Sequence, residues 1–347
     1  MFFYLVKIFI LTTLSFGITF LWTPVLTHFL YKYKLGKQIR DGQGTPIFSR
    51  LHKAKSGTPT MGGVLIWGTT AGLAITIFYL AKFTQLDIFK ELNFLSRSQT
   101  LLPLGALIAS ALVGAFDAFL NIKKIGSNGG GLRVRHKLIL YTLIAAFGAW
   151  WFFSKLGWDI IHVPFLGDYN IGIWYVLLFI FIIVATSFSV NETDGLDGLA
   201  GGVLLIAFAS YAIIAFAQGK FDLAVFCGVI VGALTAFLWF NIYPARFFMG
   251  DTGAMSLGVT LGIIAMLTNT FLLLPFIGFI LVIESLSVII QITSKKFRHK
   301  KVFLSTPIHH HFEAIGWPEP KIVMRFWLIS GVMAMIGLII FLTEMIL

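Results

Sequence analysis

The chain has 347 residues, 58% hydrophobic and only 12% charged, with a mean hydropathy of +0.90 and a formal net charge of +11. Soluble chains carry about 25% charged residues, so an ordinary soluble domain is excluded and the apolar surface must face lipid. The single cysteine, Cys227, excludes an intramolecular disulfide and lacks the spaced partners of a zinc or iron–sulfur site.

A transmembrane helix needs about 20 mostly apolar residues. Ten stretches qualify, near 4–31, 61–82, 100–119, 138–156, 172–190, 199–218, 223–240, 254–270, 272–293 and 325–346. The first runs to Tyr31 without a small-residue cleavage site before the basic loop, and is expected to be a retained anchor rather than a signal peptide. Segment 157–171, with Trp158, Pro164 and Gly167, is expected to form a small extracytoplasmic hairpin. The expected fold is an all-α polytopic membrane protein, one domain over residues 1–347 with ten transmembrane helices.

The basic residues set the orientation. Lys32, Lys34, Lys37, Arg40, Arg50, Lys53 and Lys55 follow the first span, and Lys123, Lys124, Arg133, Arg135 and Lys137 follow the third. Arg246 follows the seventh, and Lys295, Lys296, Arg298, Lys300, Lys301, Lys321 and Arg325 gather after the ninth. That places 20 of the 26 Lys and Arg on the side of the odd-numbered loops, which the positive-inside rule makes cytoplasmic. Both termini then face outward, and the excess charge calls for no nucleic-acid partner.

Acidic residues near membrane-embedded helix ends are expensive and tend to mark function. Asp117 ends the third span, Asp194 and Asp197 follow the fifth, Asp251 follows the seventh, and Glu284 lies within the ninth. A lone loop aspartate often only caps a helix, but four of these five reach one face. In Asn191-Glu-Thr-Asp194-Gly-Leu-Asp197-Gly, two carboxylates three apart share a helical face, and Gly195 and Gly198 allow close approach to a ligand. Phe248-Met-Gly-Asp251-Thr-Gly253 sets another carboxylate between glycines, ten residues after Asn241. Clustered carboxylates without cysteine favour a hard cation such as Mg²⁺, which bridges carboxylates to substrate phosphates.

Lys55 precedes the Gly/Thr-rich segment Gly57-Thr-Pro-Thr60-Met-Gly-Gly63, where backbone N–H groups can meet an anion. In Pro307-Ile-His309-His310-His311-Phe-Glu313, adjacent histidines on a helix diverge by about 100°. They are expected to act as donors to phosphate or ribose rather than as one zinc site.

These motifs, together with Phe237-Leu-Trp-Phe-Asn241 and Gly316-Trp-Pro-Glu-Pro-Lys321, resemble those of the polyprenyl-phosphate N-acetylhexosamine-1-phosphate transferases along nearly the whole chain. The histidine loop resembles the branch acting on muramoyl-pentapeptide. The resemblance implies that undecaprenyl phosphate attacks the β-phosphate of UDP-N-acetylmuramoyl-pentapeptide with Mg²⁺ required, in a cytoplasmic-facing active-site cleft of the bacterial inner membrane, commonly in a homodimer. By position it implies a metal-binding Asp251 and an Asp117 that activates the lipid phosphate. Asn191, Asp194 and Asp197 match positions around nucleotide and metal, while Lys55, Thr60, Asn241, Phe248, His309, His310 and His311 match the nucleotide-sugar site.

The chain departs from the pattern at three positions. Ala118 stands where the family usually has a second aspartate, Asn121 where it has lysine, and Glu192 where it has an apolar residue. A binding-only variant, a transferase using UDP-N-acetylglucosamine and a transporter working through Glu284 are the alternatives.

Overall fold

A computed structural model of the chain describes residues 1–33, 35–36, 55, 57–123, 125–126 and 130–347. Lys34, Lys37, Arg40, Arg50, Lys53 and Lys124 lie outside the described residues. The apolar runs become helices because a backbone surrounded by hydrocarbon must satisfy its own N–H and C=O groups. The first half contains α1 (Phe2–Lys32), α2 (Val64–Phe83), the short α3 (Asp87–Leu92), α4 (Leu101–Ile122) and α5 (Val134–Trp150), which continues as a π-turn over Trp151–Lys155. After the strands β1 (Ile160–Val163) and β2 (Gly167–Asn170) come α6 (Trp174–Thr193), α7 (Leu199–Ala217), α8 (Phe221–Asn241) and α9 (Asp251–Leu267). A 3-10 turn leads into α10 (Leu274–Ile277), followed by α11 (Phe279–Arg298), α12 (Ile308–Ala314) and α13 (Glu319–Ile346).

Among the described residues, eight helices are long and apolar enough to cross a bilayer, and the pair α10 and α11, bent by 87°, makes nine if counted as one span. Gly278 sits at the break, and Pro275 opens the limb before it. The eighth expected stretch is α9, whose 17 residues extend about 25 Å, short of the roughly 30 Å hydrocarbon core.

α9 is the centre of the molecule. Every residue from Thr252 to Leu267 is buried, against α4 and α6 above all. With little hydrophobic driving force between helices in lipid, close backbone packing through small residues does the work. A Cβ on Gly258 would lie 2.6 Å from the Cα of Ser187 on α6, and one on Gly232 of α8 would lie 2.1 Å from the Thr12 carbonyl of α1. α1 is peripheral and exposes Phe9, Ile10, Leu14 and Leu21 outward.

α11 inverts the pattern of a soluble amphipathic helix. Its buried face carries Glu284, Ser287, Gln291 and Ser294, while Leu286, Ile289, Ile290 and Ile292 are exposed. The inward polar stripe grips the next loop. Gln291 Oε1 accepts from the N–H groups of Val302 and Phe303 at 3.0 Å, its amide donates to the Phe303 carbonyl, and Ser294 donates to the Lys300 carbonyl. This grip sets the loop that delivers α12.

The expected hairpin is present. β1 and β2 pair antiparallel, with Ile160 opposite Asn170 and Val163 opposite Gly167. His162 joins Asp168 across the hairpin at 2.6 Å and Glu344 near the end of α13 at 2.8 Å, and its N–H donates to Asn269 just after α9. The hairpin and the C-terminal ends of α9 and α13 thus share one end of the bundle. Asp117, Asp194, Asp197 and Asp251 lie at the other.

Candidate active site

Asp251 is the first residue of α9, behind Gly250 at φ +69°. A carboxylate in the first turn complements the helix dipole. Its Oδ1 accepts from the Asn191 amide at 2.9 Å, and its Oδ2 accepts from the Lys137 ammonium. Lys137, from the first turns of α5, also meets Asp117 Oδ2 at 2.7 Å, while Asp117 Oδ1 accepts from the Leu132 N–H. Gly114, one turn before Asp117, makes this meeting possible, because a Cβ there would sit 2.5 Å from the Asp251 carbonyl oxygen. Two carboxylates from different helices thus meet one ammonium at the start of the central helix. Ala118 is buried on α4 beside Asp117.

The Gly/Thr-rich segment is used differently from its expected role. Phe248 N–H donates to the Pro59 carbonyl at 2.8 Å, Gly62 N–H to the Phe248 carbonyl at 2.8 Å and Gly63 N–H to the Met249 carbonyl at 2.9 Å. The Thr58 and Thr60 N–H groups donate to Lys55 and Leu35 carbonyls. These donors therefore hold protein rather than an anion. The glycines serve apposition: a Cβ on Gly63 would lie 2.3 Å from the Gly253 Cα, and a Cβ on Gly250 would lie 2.5 Å from Thr60 Oγ1.

Asp194 and Asp197 fall in the turn between α6 and α7. Asp194 Oδ2 accepts from Gly250 N–H at 3.0 Å, linking this turn to the start of α9. Asp197 is buried; its Oδ2 accepts from Ala245 N–H at 3.0 Å and its Oδ1 meets Lys55 Nζ at 2.6 Å. Glu319, the first residue of α13, completes a three-part clamp, since its Oε1 meets Lys55 Nζ at 2.5 Å and accepts from Asp197 N–H at 2.6 Å. Asn241 accepts from Gly198 N–H and donates to the Phe247 carbonyl, so it braces the turn. Lys55 Nζ stands 5.9 Å over the Phe248 ring.

The three histidines diverge on α12, as their adjacency requires. His309 is wholly buried, with Nδ1 3.0 Å from Glu284 Oε2 on α11. Its Nε2 and Glu284 Oε1 are buried side-chain atoms with no hydrogen-bond partner among the described residues. A Cβ on Gly195 would lie 2.3 Å from that Nε2, so the close approach Gly195 permits is to His309. His310 meets Glu313 at 2.6 Å, and His311 accepts from Leu304 N–H at 3.3 Å.

The expected site residues thus lie at one end of the bundle: Asp117 and Asn191 around Asp251, Asp194 with Thr60 near Gly250, Lys55, Asp197, Asn241 and Phe248 around the α6–α7 turn, and His309 against Gly195 of that turn with His310 and His311 beside it on α12. Two partners, Lys137 and Glu319, were not singled out as site residues. Lys137 counted only as a loop cation, although a cation in the first turns of a helix opposes the dipole and is a usable signal. Glu319 reads as an ordinary first-turn acid, and its signal lies in the Gly316-Trp-Pro-Glu-Pro-Lys321 motif rather than in its own chemistry. Glu284, the residue the transporter alternative would use, is the partner of His309.

Sequence comparisons identify relatives of the chain. The Glycosyl transferase family 4 profile matches residues 100–269, and the Phospho-N-acetylmuramoyl-pentapeptide-transferase signature 1 matches residues 55–66. The chain is 40% identical over 324 residues to a phospho-N-acetylmuramoyl-pentapeptide-transferase of Chloroflexus aggregans, covering 90% of this chain and 83% of that protein. It is 41% identical over 329 residues to one from Geobacillus sp. strain WCH70 (94% and 95% covered) and 37% identical over 326 residues to one from Clostridium novyi (93% of each).

Proposed function

Because the chain belongs to the phospho-N-acetylmuramoyl-pentapeptide-transferase family, we propose that it transfers phospho-N-acetylmuramoyl-pentapeptide from its UDP-linked donor to undecaprenyl phosphate, forming lipid I and UMP in peptidoglycan synthesis. The observation that carries the mechanism is the Asp117–Lys137–Asp251 cluster at the head of α9. A phosphate oxygen of the lipid attacks the β-phosphorus of the donor. The new P–O bond forms as the bond to the oxygen bridging the α-phosphate breaks, and the electron pair leaves with UMP. A phosphate monoester has a second pKa of about 6, so the nucleophile is largely dianionic near neutrality and needs orientation more than a strong base. Asp117, fixed by Lys137 and Leu132 N–H, is placed to orient it.

Lys55 exchanges its contacts with Asp197 and Glu319 for the donor phosphates, and the Phe248 ring offers a flat surface to the base. His309, held by Glu284 against Gly195, presents Nε2 toward the Asp194 turn, with His310 and His311 flanking it. The oxygen donor set suits Mg²⁺, and the Lys137 ammonium between two carboxylates marks a place that attracts cations. Asp251, with Asp194, would hold the ion; among the described residues no three His, Cys, Asp or Glu side chains gather to do so, and Mg²⁺ commonly takes one or two carboxylates and fills its shell with water and phosphate. When bound it neutralises charge on the diphosphate and the departing UMP.

The same reading includes ten spans, with α9 and the bent pair completing the count, and a site facing the cytoplasm of the bacterial inner membrane with both termini outside. The distribution of basic residues supports the orientation. Homodimerisation rests on family resemblance alone. Ala118, buried at a position where the family pattern implied by the resemblance usually has a second aspartate, favours a second reading in which the chain binds the nucleotide sugar without turnover. The deciding experiment is Mg²⁺-dependent UMP release with lipid I formation by the purified protein in lipid. Retained donor binding with no UMP release selects the binding-only reading, and turnover of UDP-N-acetylglucosamine in preference to the pentapeptide donor selects the altered-substrate one.

A further inference from the structure

At the end of the bundle away from the carboxylates, a cavity of about 450 Å³ opens between the hairpin and the ends of α7, α9 and α13. Pockets of roughly 300–1,000 Å³ commonly take small molecules. Its walls include Trp158, Lys220, Asn269, Phe341 and Met345. Lys220, in the turn between α7 and α8, is half-buried, and its ammonium donates to Gln218 Oε1 and to the Leu267 carbonyl, both at 2.8 Å. Among the described residues no carboxylate lies within ion-pair distance of it. The two acids that line the cavity, Asp168 and Glu344, are engaged by His162 on their own side. An ammonium held by neutral oxygens and the face of the Trp158 ring, 5.9 Å away, has no anionic partner among the described residues, whereas charges withdrawn from water are normally paired. The aromatic and apolar walls beside it resemble the composition by which helix ends meet lipid headgroups.

We propose that this cavity is an anion site that takes a phosphate group, with Lys220 as its counter-ion. The group comes either from a lipid headgroup or from free phosphate. Burial pulls the Lys220 ammonium down to about 8, so binding weakens as pH rises past that value; the other ionisable groups facing the cavity are His162, Asp168 and Glu344.

The test measures the unfolding midpoint of the full-length protein in detergent at pH 7, with inorganic phosphate against chloride at equal ionic strength, and separately with phosphatidylglycerol in the micelles. Comparing variants separates this cavity from any phosphate binding at the carboxylate end. The proposal expects an upward shift in the unmodified protein that Lys220→Arg keeps and Lys220→Gln loses. Met345→Trp, which narrows an exposed wall without touching the cation, should weaken the same shift and guards against a Lys220→Gln protein that folds poorly. Loss of the inorganic phosphate shift identifies free phosphate as a ligand; loss of the phosphatidylglycerol shift alone identifies the headgroup. Equal shifts in the unmodified, Lys220→Gln and Met345→Trp proteins overturn the proposal.

Discussion

Lys137 joins two carboxylates from different helices, and removing it should change the sign of a second substitution. At 2.7 Å from Asp117, with an effective dielectric of about 20, one such pair has a gross Coulomb attraction of about 6 kcal/mol. Desolvation offsets part of this, and breaking a largely buried pair by deleting one partner costs about 3–5 kcal/mol. The Lys137, Asp117 and Asp251 side chains are 18%, 9% and 22% exposed, so the low end, about 3 kcal/mol, is the expected cost of Lys137→Met. Asp251→Asn should destabilise the unmodified protein because it weakens the ammonium's support. In the Lys137→Met background the same change should stabilise, because it removes one of two facing carboxylates that no longer share a cation. The four proteins can be compared by reversible SDS titration in mixed micelles without Mg²⁺, where a coupling of about 2 kcal/mol or more is expected for groups in one network. An equal cost of Asp251→Asn in both backgrounds would refute the idea that Lys137 holds the two acids together.

Four further outcomes are expected. Asp251→Ala should lower Mg²⁺-dependent UMP release by about 10²-fold or more, the scale of losing one preorganised electrostatic group, and Ala118→Asp, which adds a carboxylate beside Asp117, should enlarge the rise in unfolding midpoint produced by Mg²⁺. Glu284→Leu leaves His309 Nδ1 buried without its acceptor and should cost about 1–3 kcal/mol, whereas Glu284→Gln, which still accepts a hydrogen bond, should retain most of the stability. Burial disfavours the charged His162 imidazole, but Asp168 and Glu344 outweigh it and hold its pKa above the ordinary value. The stabilisation it gives the hairpin is therefore complete below about pH 6.5 and is lost as pH rises through the raised folded value, which a pH series comparing the parent with His162→Gln would read directly.

Much of this architecture was legible because lipid imposes long, simple signals. The apolar runs located nearly every helix, and Pro164 with Gly167 announced the hairpin. The break at Gly278 was signalled only by Pro275 and Gly278 within 272–293, which otherwise reads as one apolar run. The same holds for the site. Asp117, Asp194, Asp197 and Asp251 stood out because charge is rare near membrane-embedded helix ends. Their partners did not, because Lys137 resembles the topology cations around it and Glu319 resembles a helix-start acid. What Gly62 and Gly63 do was misread for a related reason: a glycine that frees its N–H for an anion and one that admits another backbone look identical in sequence.

The apposition of Gly63 and Gly253 constrains how this chain can vary. With each Cα occupying the space a methyl group on the other would need, neither position can accept alanine unless the α2 and α9 backbones separate. Separation would pull apart the hydrogen-bonded seam that sets Thr60 beside Gly250. Two segments far apart in the chain therefore form a single inherited unit, and a lineage that relaxed one of them would have to rebuild both.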